Sequence, residues 1–208
     1  RTMERRAGEN HHIVGVPRDA NTRIVGTPRS GRLGTPAKGQ AMASGIQSAA
    51  HTTFQVTYDT MAPVPVAAQA AFQHAVEIWS GLINSTVPIK ISVGWGTNPG
   101  FLAAGSAPIW RDFPNAPVPN VWYSEPLANA FAGTDISPGN EIGIQFDATA
   151  NWYYGTDGRT PSGQYDFVTV ALHEITHHIG FVPLMWGHGG WGQWSVMHEN
   201  DPGIYGRF

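Results

Sequence analysis

The stretch DFVTVALHEITHHIGF, Asp166 to Phe181, decides how the rest of this sequence reads. Val168, Leu172, Ile175 and Ile179 recur at spacings of 4, 3 and 4, which predicts a helix with one apolar face to bury. Asp166 is a natural N-cap, and Gly180 a natural stop. On that helix His173 and His177 fall one turn apart, about 6 Å between Cβ atoms, together with Val170 on a neighbouring face. Two imidazoles so placed reach one zinc ion at roughly 2.0–2.1 Å each. Glu174 follows the first histidine directly and can turn its carboxylate to a metal-bound water as general base. The competing reading is an ordinary buried helix with solvent-facing histidines. An unpaired glutamate between two facing histidines argues against it.

Composition narrows the class. A chain of 208 residues makes one domain, or one domain with an appendage, and is long enough to bury a substantial core. It has no cysteine, which excludes a disulfide framework, a thiolate metal site and a cysteine nucleophile. No apolar run approaches the roughly 20 residues needed to span a membrane, and no signal-peptide pattern opens the chain. A start at Arg1 rather than Met is read as the mark of a processed or trimmed product.

The net charge of −3 hides an asymmetry. Residues 1–50 hold 8 of the 12 Lys and Arg but only 3 of the 15 acids, a net of +5, which leaves −8 on residues 51–208. Gly-Val-Pro-Arg (15–18), Gly-Thr-Pro-Arg (26–29) and Gly-Thr-Pro-Ala (34–37) repeat loosely, and Gly and Pro at this density oppose helix and strand alike. Residues 1–50 are therefore read as an extended basic arm, and residues 51–208 as the folded domain. Such an arm suits an acidic surface, its own body's or a neighbour's, and so self-association. It equally suits a propeptide lying over an active site, with Glu9, His11 or His12 as blocking ligands. It carries no aromatic residue to stack on bases, so nucleic acid is not its expected partner.

Along the body, Phe54, Val56 and Tyr58 alternate with polar residues as a half-buried strand. Ala67 to Asn84 follows as an amphipathic helix marked by Phe72, Val76, Trp79 and Ile83, with His74 and Glu77 off that face. Ile89, Ile91, Val93 and Trp95 predict a second strand, and Ile142, Ile144 and Phe146 another. Residues 96–140, rich in Gly, Pro and Asn, read as long structured loops around a short strand near Val121. Asn151 to Gly155 is a turn-rich lead into the helix at 166–181.

With strand, helix, strand, loops, strand and HExxH helix in this order, the chain resembles the N-terminal half of zincin metallopeptidases, metzincins above all. His173-Glu174-x-x-His177-x-x-Gly180-Phe181 matches the metzincin pattern as far as its glycine, and Ser195-Val196-Met197-His198 is similar to the Met-turn beneath the zinc. The resemblance implies an α+β fold: a twisted mixed sheet with two main helices, long loops and the N-terminal arm. It implies a secreted or extracellular zinc endopeptidase whose polypeptide substrate lies along a sheet edge, with Glu174 as base and then acid.

One position departs from that pattern. The third metzincin ligand should stand three residues beyond Gly180, where this chain has Pro183. Catalytic zinc takes three protein ligands and a water. The replacements are His188, favoured because Gly187, Gly189 and Gly190 let its loop fold back, then His198, with Glu199 and Asp201 behind them. His178 points about 100° away around the helix and is not expected to share the metal. The alternative function is a zincin-like protein with an altered site, used for binding or self-assembly through its arm.

Overall fold

The computed structural model describes residues 3–6, 51–181, 185–186 and 195–196, with the side chains of Met3 and of 51–181. In chain order the elements are β1 (Glu4–Arg6), β2 (Phe54–Tyr58), α1 (Val66–Leu82), β3 (Ile89–Gly96), β4 (Ala103–Ser106), β5 (Ile109–Arg111) and β6 (Tyr123–Ser124). They continue as α2 (Glu125–Ala132), β7 (Ile142–Asp147), β8 (Trp152–Tyr153), β9 (Tyr165–Asp166), α3 (Phe167–His178), β10 (Met185–Trp186) and β11 (Ser195–Val196). The protein is α+β, built on a mixed sheet.

That sheet has the order β2-β3-β7-β4. β2 and β7 flank β3 in parallel, with Val56 opposite Ile91 and Val93 opposite Ile144. β4 runs antiparallel to β7 and forms the outer edge. Parallel neighbours cannot be joined by a tight turn, so α1 makes the crossover from β2 to β3. Its small and aromatic buried residues, Ala68, Ala71, Phe72, Ala75 and Val76, let it sit close to the sheet. α3 packs against α1 and against β4. Between the layers lie Ile91, Ile142, Phe146, Phe167 and Ile175, all fully buried. Phe146 and Phe167 stack with ring centroids 4.4 Å apart, which fixes the start of α3 on the central strand β7.

Residues 96–140 differ from expectation. Instead of loops around one strand they hold β4, β5, β6 and a third helix, α2. α2 opens with Ser124 and Glu125-Pro126, and ends at Gly133, whose φ of 71° supplies the left-handed cap. With β5 and β6 it closes a second core of Trp110, Phe113, Val121, Tyr123 and Ala128. Ile83, expected on the face of the first helix, is its extended C-cap.

Of the arm, β1 is described: it pairs antiparallel with β5, Arg5 opposite Trp110. The arm's Gly-x-Pro repeats, Glu9, His11 and His12 lie outside the described residues. Among the described residues no helix is long and apolar enough to cross a membrane.

Candidate metal centre

The helix α3 places the site, and local chemistry fixes both of its ends. Asp166 caps the first turn: Oδ1 accepts from the Thr169 N–H at 2.7 Å, and Oδ2 from the Thr160 hydroxyl at 2.6 Å. At the other end Gly180 takes a φ of 138°, a conformation that a side chain would resist, and a Cβ there would stand 3.0 Å from Leu127 Cδ2. This turn folds the chain back so that the Phe181 N–H reaches the Thr176 carbonyl at 3.2 Å. It also brings the Phe181 carbonyl 2.9 Å from His177 Nδ1.

That last contact sets a tautomer. A carbonyl only accepts, so Nδ1 of His177 carries the proton and Nε2 is left as an acceptor, which takes the hydrogen bond from His173 Nε2. Metal-binding imidazoles are ordinarily oriented by such a carbonyl. His173 lies one turn earlier, exposed, with its ring at 90° to that of His177 and the centroids 4.5 Å apart. The two Nε2 atoms are 2.9 Å from each other. Two nitrogens on one tetrahedral zinc, each at its usual bond length, stand about 3.3 Å apart. The pair therefore needs to open by only a few tenths of an ångström to fit the ion.

Glu174 sits between them in sequence but faces inward. It is fully buried, and neither carboxylate oxygen has a hydrogen-bond partner among the described residues. Burial pushes its pKa up to about 8. A buried carboxyl without a hydrogen-bond partner, one residue after His173 on the same helix, is the kind of orphaned group that the water of a bound metal would satisfy. His173 and His177 are the two side chains here that could hold a metal ion, and Glu174 is the carboxyl between them in sequence.

Among the described residues no third His, Cys, Asp or Glu joins them as a ligand set. Pro183 and the predicted ligands His188, His198, Glu199 and Asp201 lie outside the described residues. Of the predicted Met-turn, Ser195 and Val196 are placed, paired antiparallel with Trp186 and Met185, while Met197 and His198 are not described. His74 is half-buried on α1 and Glu77 is exposed, as befits residues off the apolar face.

Sequence reasoning missed two buried titratable groups. His178, expected only to point away, is fully buried against Gly105 of β4, and burial pushes its pKa down to about 4. Glu141, just ahead of β7, is fully buried near Glu125 of α2, whose Oε2 accepts from Trp110 Nε1 at 3.0 Å. Burial first, then the Glu125 and Asp135 charges, push Glu141 up to about 7. No local pattern announces either one, since each depends on which strand arrives opposite. No family model, no curated protein and no solved structure matches this chain.

Proposed function

We propose that this protein is a zinc-dependent endopeptidase of zincin type, secreted, with His173 and His177 as ligands and Glu174 as general base. The observation that carries the reading is the convergence of two Nε2 atoms 2.9 Å apart on the helix that also carries the buried, unpartnered carboxyl of Glu174. The third ligand is assigned to residues 182–208, His188 first and His198 next. The α+β sheet with an antiparallel edge strand supports the fold assignment, since among the described residues β4 is the last strand of the sheet and lies beside α3, where an extended polypeptide could add to it.

When bound, zinc lowers the pKa of its water and polarises the scissile carbonyl. The residues of the chain do the rest. His177 is held in its binding tautomer by the Phe181 carbonyl, and Gly180 makes that hold sterically possible. Glu174 accepts the proton of the attacking water at a carboxylate oxygen and hands it to the departing amine.

The test is metal analysis with a Glu174→Ala variant. The wild-type chain is expected to hold about one zinc and to cleave casein. The variant should keep the metal and lose about 10²–10⁴-fold in rate. Stoichiometric zinc with no cleavage in either form would instead favour the second reading, a zincin-like protein working through its arm. The pairing of β1 with β5 is what favours that alternative, because it shows that the body can accept the arm as a strand.

A further inference from the structure

His178 follows the second predicted ligand and turns to the opposite side of α3, where it is fully buried. Its Nδ1 lies 2.5 Å from the Glu174 carbonyl, one turn back, and donates to it. That bond holds the ring against its own helix. The ring's other edge stands on the backbone of Gly105 in β4. A Cβ at Gly105 would overlap Cε1 of the imidazole and lie 2.8 Å from its Nε2, with the Gly143 carbonyl of β7 at 3.0 Å behind it. Gly105 does not have a positive φ, so the need for glycine is one of space.

An imidazole is therefore the spacer between the helix that carries His173, Glu174 and His177 and the strand at the sheet's edge. The hydrogen bond to Glu174 ties the spacer to the residue proposed as base. We propose that His178 is a positioning residue: its ring, standing on Gly105, sets how far Glu174 lies from a polypeptide laid along β4. This rests on the peptidase reading above.

The experiment uses the full chain loaded with zinc, and in parallel with cobalt, as wild type, Gly105→Ala, His178→Ala and the double variant. Metal content, thermal stability, the cobalt visible spectrum, kcat and KM for one peptide are measured for each. Gly105→Ala is expected to keep about one metal per chain, to hold KM within about threefold, and to lose at least ~10-fold in kcat with a shifted cobalt band. His178→Ala should lose kcat comparably. In the double variant the new methyl enters the space the ring has left, so kcat and the cobalt band should move back toward wild type. If Gly105→Ala does not fold, His178→Ala and the double variant decide.

Variants that lose thermal stability yet keep wild-type kcat and cobalt spectrum per metal-loaded chain would overturn the positioning role and leave the peptidase reading intact. A wild-type chain that binds metal but cleaves nothing would sink the peptidase reading and the positioning role with it. A wild-type chain that binds neither metal overturns both.

Discussion

Glu174 is a carboxyl group that its surroundings keep uncharged. With no donor among the described residues and no exposure, it holds its proton to about pH 8 in the metal-free chain. A carboxylic acid raised in the folded state stabilises that state at low pH, and the contribution is lost as pH rises through the folded value. For Glu174 the window runs from its ordinary 4.5 up to about 8. Metal-stripped Glu174→Gln is therefore expected to be at least as stable as wild type at pH 8, and to lose part of the decline in stability across that window. Urea unfolding at pH 5, 6.5 and 8 measures it. A variant less stable than wild type at every pH would show that the carboxyl has a partner.

Element by element, what the sequence discloses depends on how local the cause is. α3 was legible because its causes lie within a few residues: the 4-3-4 spacing, the Asp166 cap and the Gly180 stop are all neighbours in the chain. Asp166→Ala should cost about 1 kcal/mol in unfolding free energy, read by urea titration at constant pH. A cost below about 0.3 kcal/mol would mean that β9 and the Phe146–Phe167 stack hold the first turn without the cap. β4 was not legible. Its four residues, Ala-Ala-Gly-Ser, show no alternation, and only pairing with β7 makes them a strand. α2 was missed although Glu125-Pro126 and Gly133 bracket it, because its inward face is defined by β5 and β6 rather than by a long apolar period. The same division holds at the site. His173, Glu174 and His177 share one helix and could be placed from it, whereas the seat of His178 on Gly105 joins two elements that only folding brings together.

Across the whole molecule the buried titratable groups act in opposite directions. Glu141, raised to about 7, stabilises the fold below its ordinary 4.5, and that contribution is lost as pH rises to about 7. His178, depressed to about 4, contributes above its ordinary 6.5, and that contribution is lost as pH falls to about 4. With Glu174 acting in the same sense as Glu141, the acids outweigh the histidine, and the metal-free chain should be more stable at pH 5 than at pH 8. Glu141→Gln is expected to remove a part of that difference on the order of 2–3 kcal/mol. Guanidinium unfolding midpoints from pH 4.5 to 8 measure it, and a variant with the wild-type slope would show that Glu141 is solvated. Glu141 faces Glu125 and Asn129 of α2, and the Asp135 that pairs with Lys90 of β3, so its charge state bears on how the second core meets the main sheet.

The parallel pairing of β3 with β7 has a consequence in time. The Ser92 hydroxyl meets the Ile142 carbonyl across 50 residues of chain, and neither strand can be zipped to the other by a turn. Loop closure over that distance must precede the reward, which places such topologies among the slower folders. Phe167, the first residue of α3, finds its stacking partner only once Phe146 is in the sheet. The seating of α3 on the sheet is therefore expected to come late, after the pairing of β3 with β7. Before that moment His173 and His177 have each other and the Phe181 carbonyl to orient them, but not the sheet beneath their helix.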